Sequence, residues 1–325
     1  MDRLSARDPA FAAALRLRAR GEVREGEALA RYSTYRIGGP ATVLLAVSPE
    51  DVGAAIRFAV AEGVPWFALG LGSNILLPDA GLDALVVRLG KGMDHLVRDG
   101  TRWRLGAGLP APLAARRTAE AGHAGLHKFV GVPGTVGGGV YMNAGCHGGE
   151  WSEVIERVTV VDADGDLRML ERREIPFAYR TSGLDHRVVV EAQVALAPED
   201  PVKLSAELAD LFRWRQQGTP FNQPCCGSVF QNPGGASWKR EAGPRTAGQL
   251  IEAAGLKGLR IGGAEISPMH ANYFVNTGEA TAADVRALIA EAQRAVREKF
   301  GVRLETEVKL ISATGTYLNS VFTQS

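Results

Sequence analysis

No run of eighteen apolar residues occurs anywhere in the chain, so no segment is expected to cross a membrane as a helix. Cysteine is scarce. Cys146, Cys225 and Cys226 are odd in number with two adjacent, which excludes a disulfide framework and fits a reducing compartment. No CxxC pair or Cys/His cluster suggests zinc or another metal. Neither sign of charge prevails: 37 Lys and Arg stand against 36 Asp and Glu, so no overall attraction to nucleic acid or acidic membranes is expected. Residues 1–22 carry Arg16, Arg18 and Arg20 among their apolar residues and form no signal-peptide core. They read as an amphipathic helix or a loose N-terminal extension, and the expected setting is cytoplasmic. Internal repeats and low-complexity linkers are lacking, as are a G-x-G-x-x-G opening a long helix and a G-K-[ST] phosphate loop.

What the chain does contain is glycine, 39 residues of it, concentrated in a few short segments. Around these, strand and helix alternate. Val43–Val47 reads as a buried strand, Ser48 with Asp51 opens a helix to about Ala61, and Trp66–Leu69 is a second apolar run. Short strands are expected at Ala84–Arg88, His95–Val97 and Trp103–Ala107, and a helix at about Pro112–Ala121. Asp164-Gly165 marks a hairpin within 154–170, and Val188–Leu196 another strand. Leu204–Gln217 is helical and charged. Beyond it a new α/β mixture begins, with helices near Ala247–Ala254 and 281–299, strands near 260–276 and a closing strand at 303–312. The domain boundary falls near 215–220.

The first glycine segment, Gly70-Leu71-Gly72-Ser73-Asn74, follows a strand directly. Its glycines allow positive φ and a concave row of backbone N–H groups, to which Ser73 and Asn74 add donors; a tight turn would need no more than a glycine or two. The second segment, Gly131-Val132-Pro133-Gly134-Thr135-Val136-Gly137-Gly138-Gly139, is harder to account for as a turn. Glycine in regular structure costs about 0.5–1 kcal/mol relative to alanine, so five in nine residues point to a ligand lying against bare backbone. Val132, Val136, Val140 and Met142 anchor the segment, and Asn143-Ala144-Gly145 extends its small polar surface. A large flat cofactor suits both segments together.

The two segments, with Tyr35-Arg36-Ile37-Gly38-Gly39, Tyr179-Arg180, Gly227-Ser228-Val229-Phe230-Gln231-Asn232-Pro233, Ala247–Glu252, Gly255–Gly258, His270-Ala271-Asn272 and Leu304-Glu305-Thr306-Glu307-Val308-Lys309, resemble the UDP-N-acetylenolpyruvoylglucosamine reductase family (UDP-N-acetylmuramate dehydrogenases) over about residues 30–312. The resemblance implies an α+β fold: a two-part FAD-binding domain of the vanillyl-alcohol-oxidase (PCMH) type plus a C-terminal α/β substrate-binding domain. In those terms residues 1–22 are an extension, 23–215 the FAD domain split near 85, 216–302 the substrate domain, and 303–325 a strand returning to the FAD domain with a tail. No tyrosine-bearing insertion fits between Arg180 and Val188, so the chain is similar to the loop-lacking type II members.

The resemblance further implies FAD and NADPH as cofactors and the enolpyruvyl ether of a UDP-sugar as substrate, reduced to UDP-N-acetylmuramate for peptidoglycan synthesis. FAD would rest on Arg36, Gly70, Leu71, Gly72, Ser73, Asn74, Gly131, Val132, Pro133, Gly134, Thr135, Gly137, Gly138, Gly139, Asn143 and Ala144. Arg180 matches the family's carboxylate partner, Ser228 its proton donor and Glu307 the acid beside them. Tyr179, Gly227, Asn232, His270 and Lys309 would meet the substrate, with Lys239 and Arg240 supplying charge near its diphosphate. On strand periodicity alone Glu305 and Glu307 share a face, and only the family pattern selects Glu307. Ser228 could equally be an ordinary turn serine and Tyr179-Arg180 a surface strand pair. Cys226 fills a small-residue position and is not expected to act as a nucleophile. His147, Gln231 and Met269 depart from the Tyr, Lys/Arg and Lys expected at their positions. A monomer with no macromolecular partner is expected. Two alternatives stand beside this reading. One is another FAD oxidoreductase of the same cofactor fold, acting on a small alcohol or hydroxy acid. The other is a nucleotide-binding protein without catalysis.

Overall fold

The computed structural model describes residues 4–234 and 245–318. The chain forms two compact units, and each is interrupted in sequence.

The first unit comprises residues 4–25, 42–71 and 84–215. One of its sheets has the order Glu22–Ala28, Pro40–Ala46, Leu85–Leu89, Trp66–Leu69. Pro40–Ala46 and Trp66–Leu69 both pair parallel with Leu85–Leu89. Such strands are covered on both faces, which is why Val43-Leu44 and Leu85-Val86-Val87 read as unbroken apolar runs. Helix Pro49–Ala61 makes the crossover and buries Val52, Ala55, Ile56 and Ala59. Ser48 accepts from the Asp51 N–H at 3.2 Å. The Asp51 carboxylate in turn accepts from the N–H groups of Arg20, Gly21 and Val47.

That carboxylate ties down Arg20 and Gly21, and the described residues 4–22 take the amphipathic-helix alternative rather than the loose one. Helix Pro9–Arg16 buries Phe11, Ala12 and Leu15 in the same core as Leu44, Ile56 and Val87, and Phe11 stacks on Phe58 at 5.0 Å.

The second sheet of this unit is antiparallel, with the order Leu167–Glu171, Ile155–Val161, Val188–Ala195, Arg102–Gly106, Leu96–Asp99. The hairpin at Asp164-Gly165 forms because the Asp162 carboxylate accepts from the N–H groups of Asp164 and Asp166. Trp103, Leu105, Phe129, Val136, Val140, Trp151, Val158 and Val194 share its core.

The second unit comprises residues 26–41, 72–83 and 216–318. Its antiparallel sheet runs Cys225–Ser228, Tyr273–Asn276, Ala264–Ile266, Arg260–Ile261. Helix Ala282–Phe300 buries Val285, Leu288, Ile289, Ala292 and Val296, the stripe expected of a half-buried helix. A Thr281/Asp284 capping box starts it and Gly301, at φ 69°, ends it.

The strand expected over 303–312 is confined to Lys309–Ile311, which pairs parallel with Ile75–Leu76 and antiparallel with Tyr317–Leu318. Upstream, the backbone is spent on single contacts. Glu305 O accepts from Gln231 N–H, Thr306 bridges Phe230, and the Glu307 and Val308 N–H groups both donate to Val229 O. Period-two alternation therefore does not govern Glu305 and Glu307. Segments 26–41 and 72–83 belong here because Tyr35, Ile37 and Leu76 enter this core, while Asn276 donates to Tyr35 O and the Ala282 N–H donates to Asp79.

Candidate active site

In the first unit the two glycine segments meet. A Cβ on Gly70 would lie 2.9 Å from Thr135 Oγ1, so the end of strand Trp66–Leu69 abuts the second loop. Thr135 caps helix Val136–Tyr141, its hydroxyl accepting from Gly138 N–H. Among the described residues the N–H groups of Gly134 and Thr135 donate to no protein acceptor, while those of Val136, Gly137 and Gly139 are taken by Leu109, Ala107 and Thr135 carbonyls. Unspent amides on a glycine turn suit a phosphate.

The glycines divide by cause. Gly137 and Gly139 are required by the protein itself, since a Cβ would strike Ala107 at 3.0 Å and Trp151 at 2.5 Å. Gly138 is exposed and a Cβ there would meet only Thr135 Oγ1, at 3.6 Å. Gly131, at φ 72°, packs against Arg215, whose guanidinium donates to Cys146 Sγ at 3.4 Å. Arg215 beside the loop carried no sequence signal, because its helix reads only as charged. Leu71 and Pro133 are exposed and Val132 and Ala144 half-buried along this surface.

Asn143, expected at the cofactor, is 1% exposed, and its carboxamide serves the protein. It accepts from Ser152 N–H and donates to Ala178 O, both at 3.0 Å, and so braces the turn that carries Tyr179 and Arg180. That turn is closed by the Ala178–Thr181 bridge, so Tyr179-Arg180 is not a strand pair. Arg180 adopts φ 60°, a conformation that costs a non-glycine residue about 1–3 kcal/mol. Its guanidinium lies 5.0 Å from the Tyr179 ring centroid and donates to Gly145 O. His147, in place of the expected tyrosine, sits edge-on to Trp214 at 5.2 Å. Burial, with Arg215 nearby, holds it below the usual histidine range, hence neutral at pH 7.

In the second unit, Ser228 ends strand Cys225–Ser228, whose register with Tyr273–Asn276 shifts by one residue between Cys225 and Ser228. Gly227, at φ 77°, absorbs that bulge, a device that re-aims the side chain beyond it. Ser228 is therefore a strand-end residue rather than a turn serine. Glu307 is fastened beside it by its N–H to Val229 O at 2.8 Å. Asn74 donates from Nδ2 to Glu307 O at 3.2 Å, and its own carbonyl accepts from Lys309 N–H. Ser73 O is the nearest atom to the missing Cβ of Gly227, at 3.9 Å. The tail of the first glycine segment, Gly72-Ser73-Asn74, is thus gathered with Gly227, Ser228, Glu307 and Lys309. Arg36 is exposed, at φ 57°. Cys226 is buried, and burial, then Cys225 and Glu307, pushes its thiol well above the ordinary range despite a lowering contribution from Tyr35. This is the opposite of an activated nucleophile.

Two expected substrate contacts have structural duties. The Asn232 side-chain carbonyl accepts from Ala247 N–H at the start of helix Ala247–Ala253. His270 Nδ1 accepts from Asn272 N–H, an arrangement for the neutral ring rather than a cation. Asn272, passed over as a site residue, clamps the strand beyond Ser228: its carboxamide accepts from Phe230 N–H and donates to Phe230 O, both at 2.9 Å and buried. Lys239 and Arg240 lie outside the described residues. Asn272→Ala strands both Phe230 groups, and equilibrium denaturation is expected to show a loss of about 2–4 kcal/mol.

Comparison with known proteins gives these parts a context. Residues 219–311 match the model of the UDP-N-acetylenolpyruvoylglucosamine reductase C-terminal domain, and residues 40–171 match that of an FAD binding domain. UDP-N-acetylenolpyruvoylglucosamine reductase of Halalkalibacterium halodurans is 43% identical over 296 residues, 90% of this chain and 95% of that protein. The Bacillus subtilis protein of the same name is 38% identical over 295 residues, 90% and 94% of the two chains. The crystal structure of the Thermus caldophilus reductase superposes with a TM-score of 0.74 at 34% identity, over 89% of this chain and 99% of that one. With likeness of this degree running through both units, the chain belongs to the UDP-N-acetylenolpyruvoylglucosamine reductase family.

Proposed function

We propose that this chain acts as a cytoplasmic monomer that uses NADPH to reduce the enolpyruvyl ether of UDP-N-acetylglucosamine to UDP-N-acetylmuramate, with Ser228, Arg180 and Glu307 as the groups that meet the reacting atoms. Bound FAD supplies hydride chemistry that no side chain offers. The unspent Gly134 and Thr135 amides, abutted by Gly70, fit its diphosphate.

The remaining work belongs to the protein. Negative charge grows on the enolpyruvyl carboxylate as the double bond is reduced, and a planar, permanently charged guanidinium is the side chain best matched to it. Arg180 fills that role, pre-set by its own backbone and by Gly145 O. The carbon next to the carboxylate then needs a proton. Ser228 supplies it from Oγ, and Glu307 orients the donors or holds a proton beside it. Tyr179, Gly227 and Lys309 line the substrate, with Asn232 and His270 supporting them.

The observation that carries this reading is the fastening of Glu307 to Val229 and Asn74, which brings the last motif of the sequence to Ser228 and to the first glycine segment. Anaerobic stopped-flow absorbance tests it. NADPH should bleach the flavin, and the enolpyruvyl UDP-sugar should restore its absorbance. Reduced flavin that oxygen reoxidises but the UDP-sugar does not would overturn the proposal.

A further inference from the structure

We propose that Glu150 is a positioning residue for Arg180: its buried carboxylate fixes the guanidinium in the orientation that receives the substrate carboxylate. The inference rests on the role given to Arg180 above.

Glu150 stands opposite Gly145 in a two-residue ladder of Gly145-Cys146 with Gly149-Glu150. It is only 7% exposed. A carboxylate in such a place is costly unless a cation or several donors face it. Gly145 shows what faces it. The Cβ of an alanine at 145 would lie 3.0 Å from Arg180 Nη1 and 3.0 Å from Glu150 Cγ. The guanidinium and the carboxylate stem therefore flank one gap, open because residue 145 has no side chain. The Arg180 guanidinium also donates to Gly145 O at 3.2 Å, so the hairpin grips it through backbone as well. Asn143 completes the frame, donating to Ala178 O at 3.0 Å and reaching Glu150 at 3.5 Å. Two other cations reach this hairpin: the Lys128 ammonium donates to Gly148 O at 3.3 Å and the Arg215 guanidinium to Cys146 Sγ at 3.4 Å.

An arginine that must accept a carboxylate at a set angle gains from a second, permanent carboxylate behind it. Displacement of a positioned group by about 1 Å can cost on the order of 100-fold in rate.

The test uses the flavin-loaded enzyme and measures each half-reaction separately. Glu150→Gln, nearly isosteric, should leave flavin reduction by NADPH within about twofold and slow reoxidation by the enolpyruvyl UDP-sugar about 10- to 100-fold. Glu150→Asp retains the charge and should recover most of that loss. A packing role predicts the reverse order, because aspartate is the shorter side chain, so Glu150→Asp slower than Glu150→Gln would overturn the inference. Arg180→Lys should slow the same half-reaction, and the Glu150→Gln/Arg180→Lys pair should fall well short of the product of the single effects. Independent, multiplying effects would also overturn it. An unchanged Arg180→Lys would instead remove the role of Arg180 on which the inference rests. Should Glu150→Gln fail to retain flavin, Glu150→Asp with Arg180→Lys carries the test, and independent, multiplying effects in that pair would overturn the inference.

Discussion

Ser228→Ala is expected to leave reduction of the flavin by NADPH nearly unchanged and to slow its reoxidation by the enolpyruvyl UDP-sugar by about 10²–10⁴-fold, the usual worth of a positioned proton donor. The split follows from where the proton is needed. Reduction of the flavin uses nothing from Ser228, whereas the substrate carbon cannot be completed without a proton. The fold should tolerate the change. Ser228 is half-buried at a strand end, and its backbone, not its hydroxyl, makes the pairing with Tyr273. Equal losses in both half-reactions would mean that Ser228 supports the cofactor site or the fold and not proton transfer.

The second large effect concerns the glycine loop. Gly139→Ala places a methyl group 2.5 Å from Trp151 Nε1. Trp151 cannot retreat, being 1% exposed and stacked on Phe129 at 5.2 Å. Overpacking of this kind costs about 1–3 kcal/mol, and the strain falls on helix Val136–Tyr141 directly after the unspent amides. The variant should purify largely without flavin and unfold at a lower temperature. Gly138→Ala, one residue away, should act oppositely on the two readouts. Its methyl group meets only Thr135 Oγ1, at an ordinary contact distance of 3.6 Å, and replacing glycine at a compatible helical site stabilises by about 0.4–1 kcal/mol. The apoprotein should therefore melt higher while FAD binds more weakly, because the exposed face of Gly138 is the one proposed to meet the cofactor. Thermal melts and flavin titration of both apoproteins decide the matter; undiminished FAD affinity in Gly138→Ala would show that this face of the loop does not touch the cofactor.

The same pair shows how far glycine content could be read from sequence. That the segment would form a glycine loop was legible, and five glycines in nine residues are the ground for proposing that a ligand lies on it. Which glycine serves the ligand and which the fold was not. The difference lies in Trp151 and Ala107, which reach Gly139 and Gly137 through tertiary packing. Asn143 and His270 teach the same lesson. Their place in recognisable motifs suggested ligand contact, yet the hydrogen bonds of Asn143 brace Ala178 and Ser152, and those of His270 hold Asn272. Glu305 and Glu307 could not be separated by strand alternation because no strand exists there to alternate.

By itself the sequence determined what local chemistry controls. It set the parallel strands in their apolar runs, the capped helices, the Asp162–Asp166 hairpin, the two glycine-rich loops and the reaction class implied by motif order. Tertiary structure alone decided that residues 26–41 and 72–83 join the C-terminal unit, that the first glycine segment divides its contacts between Thr135 and Glu307, and that Glu150 lies across Gly145 from Arg180. The physical reason is range. Capping, periodicity and turn formation act over a few residues, whereas a buried carboxylate or carboxamide takes as its partner whatever the folded chain brings within about 3 Å, at any separation in sequence.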